Sequence, residues 1–336
     1  MDNNFLSIII VTLNRKDEIV KCVETILIQD FKNYEIIIID NNSSDYTSKI
    51  IKEKFPNVRL YKTYKNMGTS YTRNAAINFS NGENILFLDS DTYLKDNKTL
   101  SDLVKKLKGE IHALGGESII NENNKLISKK KLKLYPNGMI KGYIRNDKNF
   151  EKVEVLATCN LLTKKKYIKD VGGFDHYFFF YLEDLDLTYR MHKKGFNLYL
   201  LDECKIIHYF SPNTRFTNYF QSNRNRIYFL VKNFNIKNTL ILPLNDLFYF
   251  LNFDSIRRIY NTLYENRKIE NYRIKNVKKK LSFQNIFYTI KKIFLILFSL
   301  LISYCYIPYY LITRNKIKQK KNFLSLVDKN DFTEIK

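Results

Sequence analysis

LSIIIVTL (residues 6–13) and YEIIIIDN (34–41) are continuous runs of mostly β-branched residues. Runs of this kind are typical of parallel strands that are covered on both faces. The stretch between them, RKDEIVKCVETILIQDF, spaces Ile19, Val23 and Ile26 as on one face of a helix. The three segments together predict a β-α-β unit and, with it, an α/β fold.

The same alternation continues to about residue 91. TSKIIKEKF predicts a short helix, VRLYKT a strand, SYTRNAAINFS a helix and ENILFLDSD another strand. Neither GxGxxG nor GxxxxGK[ST] is present, which disfavours a dinucleotide-binding Rossmann domain and a P-loop nucleotidase. Ligands of such sheets bind beyond the carboxyl ends of the strands, and Asp40, Asp89 and Asp91 all lie at predicted strand ends.

The chain changes character twice after the predicted sheet. Residues 121–152 are polar and basic with a Pro-Asn-Gly turn, which indicates an excursion from the core. The core resumes at residue 153 with a helix that ends at Gly195 and one or two strands that end near His208. Beyond about residue 215, FTNYFQSNRNRIYFLVKNF predicts an amphipathic helix, and residues 239–265 predict more helix.

The chain is strongly basic, with a net charge of +22 and a pI near 9.6. Such a balance attracts nucleic acid, an anionic membrane or a phosphorylated substrate; a merely solvated basic surface is the alternative. A nucleic-acid-binding protein would interleave basic and aromatic residues on one surface, whereas the lysines here gather in a loop and beside an apolar segment. Four cysteines without a CxxC pair favour a reducing compartment over a disulfide framework or a zinc site.

The apolar segment IFLILFSLLISYCYIPYYLI (293–312) has no formal charge over 20 residues. That length suffices to cross a bilayer, and its tyrosines gather as at a headgroup boundary; a buried core helix is the alternative. Basic residues on both sides fit a segment whose ends both face the cytosol. The N-terminus does not resemble a signal peptide, so we expect the cytoplasmic face of the membrane as the location.

Asp89 and Asp91 stand two residues apart, so an extended chain directs both carboxylates to one face. Two such oxygen donors can hold Mg²⁺ or Mn²⁺ against a diphosphate. A single Asp-x-Asp sequence also occurs in turns and helix caps, and alone it predicts a turn more often than a metal site.

Several motifs occur in one order: IIIVTLNR, IIIIDNNSSD, NMGTSYTRNAAI, LFLDSD, VGGFDHYFFFYLEDLDLTYR and HYF. Over residues 6–230 the chain therefore resembles the family 2 glycosyltransferases, which are inverting enzymes with a GT-A fold. GGFD, EDLDL and NRNRIYFLVKN are most similar to the rhamnosyltransferase-like branch. The resemblance implies a GT-A domain with a mostly parallel central sheet over residues 1–215. A helical extension (216–290) and a membrane-associating apolar segment with a basic tail (291–336) are expected to follow.

The resemblance also implies roles for the residues at the strand ends. Thr12 and Asp40 would contact the nucleotide base, and Arg73 would help hold the nucleotide. Asp89 would bind the ribose, while Asp91 and His208 would hold Mg²⁺ or Mn²⁺. Taken without the resemblance, Arg73 would form an ion pair on a helix surface, and His208 would be a structural residue at a strand end.

Glu183 and Asp184 match the pair that supplies the catalytic base in this family. Inversion needs one carboxylate to remove the proton of the acceptor hydroxyl, and we assign that role to Asp184. Asp186 faces another way on the helix and stands four residues before Arg190, which predicts a supporting ion pair.

The sequence accordingly predicts a metal-dependent inverting glycosyltransferase that uses a UDP- or dTDP-sugar. The predicted acceptor is a glycan hydroxyl, possibly on a polyprenyl diphosphate, in the synthesis of cell-surface polysaccharide or glycoprotein glycans. A catalytically inactive assembly partner of the same fold and a nucleic-acid-binding protein are the alternatives, and we expect no nucleic acid among the partners.

Overall fold

The β-α-β unit predicted from residues 6–41 is present in a computed structural model of the chain. The structure describes residues 5–115, 118–120, 126–135, 138, 140–144, 150–201, 206–209, 219–244, 246, 294–295, 297–319 and 322–335. Two units are distinguished: one comprises Met1–Leu134, Ile140–Phe210 and Lys320–Lys336, and the other comprises Tyr135–Met139 and Ser211–Gln319.

The first unit contains fourteen described strands and six α-helices. The strands are β1 (Leu6–Thr12), β2 (Tyr34–Asp40), β3 (Arg59–Thr63), β4 (Asn84–Asp89), β5 (Thr92–Leu94), β6 (Ala113–Gly115), β7 (Ser118–Ile120), β8 (Leu126–Leu134), β9 (Ile140–Ile144), β10 (Glu151–Val153), β11 (Asn160–Lys164), β12 (Leu198–Leu200), β13 (Ile206–Tyr209) and β14 (Phe332–Ile335). The helices are α1 (Lys16–Leu27), α2 (Thr47–Lys54), α3 (Thr69–Phe79), α4 (Thr99–Lys106), α5 (Lys165–Asp170) and α6 (Glu183–Lys193).

The central strand β1 has helices on both faces, which explains its continuous hydrophobic run. Ile8 and Ile10 pack in one cluster with the buried face of α1. Ile9 points to the other face and packs with Ala76 and Ile77 of α3. Because both sets of alternating side chains are removed from water, the strand needs apolar residues at every position rather than at every second one.

The main sheet has nine strands in the order β10-β12-β6-β11-β4-β1-β2-β3-β14. The predicted mostly parallel sheet is wrong outside its centre. Strands β3, β2, β1 and β4 are parallel to one another, but β11 runs antiparallel to β4 and β14 antiparallel to β3. An antiparallel neighbour needs no crossover helix, and β11 and β14 flank the four parallel strands on their two sides. The sheet is therefore mixed.

A second sheet of five strands has the order β5-β13-β7-β8-β9. Its strands β8 and β9 form an antiparallel pair within the stretch that we predicted to be an excursion from the core. Strand β13 pairs antiparallel with β5, and His208 lies opposite Thr92 in that register. This pairing brings His208 beside the turn that carries Asp91.

The C-terminal residues of the chain also belong to the first unit. Strand β14 pairs antiparallel with β3, with Phe332 opposite Thr63 and Ile335 opposite Leu60. From the sequence we predicted that these residues form a basic tail after the apolar segment. The structure instead assigns Lys320–Lys336 to the unit that contains the main sheet.

The described part of the second unit is helical. It contains α7 (Tyr219–Asn233), α8 (Ile236–Leu240), helical residues 297–304 and α9 (Tyr306–Gln319). The amphipathic helix predicted after residue 215 corresponds to α7, and most of the helix predicted over 239–265 falls outside the described residues. Arg226 of α7 pairs with Asp246 and is mostly buried.

Residues 293–312, the predicted membrane-associating segment, are interrupted by a turn at Cys305 in their described part. Within the described ranges, none of the helices combines the length and the apolar character that crossing a bilayer requires.

Candidate active site

The register of the main sheet brings three of the predicted site residues to one edge. Thr12 lies opposite Asp40 in the pairing of β1 with β2, and Val11 lies opposite Asp89 in the pairing of β1 with β4. All three strands are parallel, so their carboxyl ends meet at this edge. Thr12, Asp40 and Asp89 thus lie together at the sheet edge where the strand-end rule places ligands.

Thr12 and Asp40 differ in how their polar atoms are satisfied. The carboxylate of Asp40 accepts hydrogen bonds from the backbone N–H of Ser43 at 2.7 Å and from the hydroxyl of Ser48. The hydroxyl of Thr12 is buried and has no hydrogen-bond partner among the described residues. A buried polar atom without a partner is costly, so this hydroxyl is suited to a bond with a bound molecule.

Asp89, Asp91 and His208 form a group whose ligand atoms all lie within 4.8 Å of one another. The Nε2 atom of His208 is 3.1 Å from Asp91 Oδ1 and 3.9 Å from Asp89 Oδ2. Two carboxylates and an imidazole at this separation fit a divalent cation, and carboxylate oxygens suit Mg²⁺ or Mn²⁺. The structure thus brings together the two predicted metal ligands, and it adds Asp89 to the same group.

Arg15 is a site residue that the sequence analysis missed. Its Nη1 atom is 3.5 Å from Asp91 Oδ2 and 3.3 Å from Glu18 Oε1. The residue lies just beyond the carboxyl end of β1, in the motif VTLNR. Applying the strand-end rule to basic residues as well as to acidic ones would have identified it.

Arg73 connects the Asp-x-Asp turn to the acidic pair. It is only 7% exposed, so it is not part of a helix surface. Its guanidinium lies 3.1 Å from Asp89 Oδ1 and 2.7 Å from Glu183 Oε1, and it stacks over the ring of Phe174 at 5.6 Å. One buried cation therefore holds carboxylates from two separate segments.

Glu183 and Asp184 begin helix α6, but their environments differ. Glu183 is buried, and its Oε1 accepts hydrogen bonds at 2.7 Å from both Arg73 and the hydroxyl of Thr69. Asp184 accepts one from the backbone N–H of Leu185 at 2.8 Å. Burial, with the nearby charge of Glu183, raises the pKa of Asp184 to about 7, although Arg73 acts in the opposite direction.

The loop before the acidic pair has a strained backbone. Phe179, Tyr181 and Leu182 all have φ between 58° and 72°, a region that non-glycine residues rarely occupy. The carbonyl of Phe179 accepts hydrogen bonds from the N–H of Thr69 at 2.7 Å and from its hydroxyl at 3.0 Å. The start of α3 thus holds the loop in this conformation, and strain of this kind is often found at functional sites.

The ion pair predicted between Asp186 and Arg190 is present, with Arg190 Nε 2.8 Å from Asp186 Oδ2. Arg190 also donates to the carbonyl of Gly173 at 2.6 Å and to that of Val171. Arg190 therefore ties helix α6 to the VGGFD turn (residues 171–175).

Comparison with protein families gives a match over residues 7–172 to the family described as Glycosyl transferase family 2. Two curated relatives each match part of the chain. A dolichyl N-acetyl-α-D-glucosaminyl phosphate 3-β-D-2,3-diacetamido-2,3-dideoxy-β-D-glucuronosyltransferase of Methanococcus voltae is 35% identical over 131 residues, 35% of this chain and 40% of the relative. A UDP-Glc:α-D-GlcNAc-diphosphoundecaprenol β-1,3-glucosyltransferase of Escherichia coli is 30% identical over 130 residues, 38% of this chain and 51% of the relative. The matches thus span about half or less of each relative.

Two solved structures share the fold. GalNAc-T7 with UDP, GalNAc and Mn²⁺ has a TM-score of 0.53 at 13% identity, and the match covers 68% of this chain and 47% of that one. S. aureus TarS 1–349 in complex with UDP has a TM-score of 0.50 at 19% identity, with 70% of each chain covered. At these identities the similarity concerns the architecture alone.

Proposed function

Because the chain belongs to the family 2 glycosyltransferases and has a GT-A-like α/β fold, we propose that it is an inverting glycosyltransferase. It transfers a sugar from a UDP- or dTDP-sugar to a hydroxyl group of a glycan acceptor. The observation that carries the proposal is the contrast within the acidic pair. Arg73 neutralises Glu183, whereas Asp184 has a pKa raised to about 7, which suits a general base at neutral pH.

In the proposed reaction, Asp184 accepts the proton of the acceptor hydroxyl as its oxygen attacks the anomeric carbon. The bond from that carbon to the diphosphate breaks on the opposite face, and the nucleoside diphosphate leaves with the electron pair. A single displacement of this kind inverts the anomeric configuration and needs no covalent intermediate. Glu183 supports the base indirectly. Its nearby charge raises the pKa of Asp184, so the ionised form of Asp184 is a stronger base.

The proposed nucleotide end of the site lies at the ends of β1, β2 and β4. The carboxylate of Asp40 can accept a hydrogen bond from the imide N–H of uracil or thymine. The hydroxyl of Thr12, which has no partner among the described residues, lies on the neighbouring strand opposite Asp40. Asp89 is proposed to contact the ribose, while Arg73 holds Asp89 in place from the buried side.

Asp91 and His208, with Asp89 beside them, would hold Mg²⁺ or Mn²⁺. The cation would neutralise the charge that develops on the leaving diphosphate. The pairing of β13 with β5 keeps His208 close to the two aspartates, so that the three ligand atoms stay together.

The acceptor is proposed to be lipid-linked. The name of the Escherichia coli relative specifies an α-D-GlcNAc-diphosphoundecaprenol, and that of the Methanococcus voltae relative specifies a dolichyl N-acetyl-α-D-glucosaminyl phosphate. The described part of the apolar segment supports contact with a membrane surface, because Phe294, Phe298, Leu301 and Ile312 are exposed large hydrophobic residues. We accordingly propose action at the cytoplasmic face of the membrane. In this proposal residues 1–215 form the catalytic part, residues 216–290 the helical extension and the apolar segment 293–312 the membrane-associating part, while the C-terminal residues 320–336 belong with the catalytic part.

The test is release of nucleoside diphosphate when the purified protein meets a panel of UDP- and dTDP-sugars, Mn²⁺ and a polyprenyl-diphosphate glycan. We expect release with one donor, and its loss in Asp184→Asn while UDP binding by calorimetry persists. Asp170→Asn, which makes the same chemical change at an exposed carboxylate, serves as the control. UDP binding without release with any donor would support the inactive assembly partner instead.

A further inference from the structure

The C-terminal residues 322–335, here named the C-terminal strap, return to the first unit beside the candidate active site. Strand β14 extends the main sheet at its β3 edge. Ahead of that strand, the N–H of Phe323 donates to the carbonyl of Gly172 at 2.7 Å. The side-chain amide of Asn78, on α3, donates to the carbonyl of Leu324 at 2.9 Å. The strap is thus bonded to a strand, a helix and a turn that are distant in sequence.

One set of strap contacts is directed to helix α3. The hydroxyl of Tyr71 donates to the carboxylate of Asp331 and accepts the N–H of Asp328 at 2.9 Å. Its ring stacks on Phe332 at 6.0 Å. Burial, together with the Asp331 carboxylate, raises the pKa of Tyr71 to about 12, so the hydroxyl stays protonated and can donate. Tyr71 stands two residues before Arg73 on the same helix.

A second set of strap contacts is directed to the VGGFD turn and helix α6. Leu324 packs so closely on Gly173 that a Cβ atom there would lie 2.7 Å from its side chain. The ring of Phe323 lies 5.7 Å from the guanidinium carbon of Arg190. Arg190 donates hydrogen bonds to Asp186 and to the carbonyl of Gly173. These bonds connect the VGGFD turn to the N-terminal part of α6.

The two sets converge on the same pair of carboxylates. Helix α3 carries Arg73, the cation of Glu183, and helix α6 carries Glu183 and Asp184 themselves. We propose that the C-terminal strap is a positioning element, which holds α3 and α6 so that Arg73 and the acidic pair keep their catalytic geometry. The claim that this geometry matters for sugar transfer rests on the proposed function, whereas the claim that the strap holds α3 and α6 does not. An edge strand that merely stabilises the fold is the competing explanation.

Two single substitutions loosen the strap from opposite sides. Tyr71→Phe keeps the ring and removes the hydroxyl that holds Asp331 and Asp328. Phe323→Leu keeps an apolar side chain and removes the ring that covers Arg190. Lys329→Ala, an exposed position on the strap, is the matched control. Each full-length protein is compared by thermal unfolding, UDP–Mn²⁺ calorimetry, kcat and KM for transfer, and hydrogen exchange of the peptides that contain α3 and α6.

We expect kcat to fall about tenfold in Tyr71→Phe and Phe323→Leu, because small displacements of catalytic groups are costly even when the substitution is remote. The affinity for UDP should fall less than kcat, by about threefold or less, since Thr12 and Asp40 lie on strands that the strap does not pair with and only Asp89 depends on Arg73. Amide exchange in α3 and α6 should increase in both variants and stay unchanged in Lys329→Ala.

A lowered unfolding temperature with unchanged kcat would overturn the proposal in favour of the merely stabilising edge strand. Unchanged exchange in α3 and α6 would overturn it whether or not the wild-type protein transfers sugar. If the wild type does not transfer sugar but amide exchange in α3 and α6 increases in the variants, the proposed function would be overturned. The claim that the strap holds α3 and α6 would still be supported.

Discussion

Glu183 and Asp184 are adjacent in sequence, yet the fold separates their chemistry. Glu183 meets a buried guanidinium and a threonine hydroxyl, so its charge is compensated where it stands. Asp184 loses contact with water and lies near the Glu183 carboxylate, and these two effects raise its pKa although Arg73 opposes them. A carboxylate that binds its proton near pH 7 is a far stronger base than one that releases it near pH 4.

The raised pKa of Asp184 predicts the pH profile of transfer. The base must be ionised to accept a proton, so kcat should reach a plateau above about pH 7 and fall about tenfold per pH unit below it. The measurement is kcat at saturating donor and acceptor from about pH 5 to about pH 9, with the affinity for UDP followed over the same range. A kcat that stays constant down to about pH 5 would place the base elsewhere.

The two aspartates of the Asp-x-Asp turn should respond differently to substitution. Asp91 contacts His208, so Asp91→Ala should abolish the Mn²⁺ dependence of UDP binding. Asp89 faces Arg73, so Asp89→Ala should mainly weaken donor affinity, by about tenfold for the loss of a charge-assisted contact. Calorimetry of Mn²⁺ and of UDP separates the two effects.

Ser90→Ala, between the two aspartates, is the control for both substitutions. Equal loss of Mn²⁺ binding in Asp89→Ala and Asp91→Ala would show that both residues are ligands, as the 4.8 Å group also permits. The assignment of Asp89 to the ribose would then be wrong.

At the residue scale, the sequence predicted the positions that follow from strand ends and missed those that depend on side-chain reach. Asp40, Asp89 and Asp91 were predictable because parallel strands align their carboxyl ends. The double ion pair of Arg73 was not, because its partners lie 16 and 110 residues away. The hydrogen bond from Thr69 to Glu183 spans 114 residues, and nothing in the local pattern indicates it.

At the level of elements, the start of α3 and the loop before α6 depend on a close backbone approach at Gly68. Its φ is +79°, and a Cβ atom there would lie 2.7 Å from the carbonyl oxygen of Phe179. That carbonyl is the one that Thr69 holds. A side chain at Gly68 would therefore displace the strained loop that leads to Glu183 and Asp184.

Gly68→Ala should consequently reduce kcat by about tenfold or more, beyond the cost of about 1 kcal/mol expected for a positive φ in an alanine. Gly109→Ala separates the two contributions, because Gly109 has φ +60° and no atom within 4 Å of its Cβ position. Thermal unfolding and kcat are measured for both. The expected result is a small loss of stability with full activity in Gly109→Ala, and a larger loss of stability with loss of activity in Gly68→Ala. Equal activity in both would contradict the role of the loop.

The central elements were predictable because their signals are local, and the outer ones were not. Continuous β-branched runs and helical spacing identified β1, α1 and β2 without reference to the rest of the chain. Strand β14 consists of four residues, FTEI, and pairs with a strand about 270 residues earlier. A pairing this distant depends on where the whole chain returns, so the short and partly polar segment carried no sequence signal of its own.

At the scale of the whole molecule, the charge of +22 and the exposed apolar side chains both support the proposed contact with an anionic membrane. Leu301 is 68% exposed and Ile312 84% exposed, and Lys316 nearby is also exposed. Apolar side chains beside basic ones are the pattern by which helices lie in the interface of an anionic membrane. The length of the apolar segment suggested a span, but its described part is interrupted by a turn at Cys305, three residues before the helix-breaking Pro308, so the contact that we propose is an interfacial one.

Binding to vesicles with anionic lipid therefore should depend on both contributions. Leu301→Glu and Ile312→Glu should each weaken co-sedimentation about tenfold or more. In each variant an apolar side chain that would enter the membrane is replaced by a charge that the anionic lipid repels. Ile28→Glu makes the same chemical change at a side chain that is 64% exposed on the first unit, and it should leave binding within about twofold of wild type. Raising the salt concentration should weaken binding of all four proteins, since the basic surface contributes in each. Equal loss in Ile28→Glu would mean that net charge alone drives the association, and the apolar segment would then need another role.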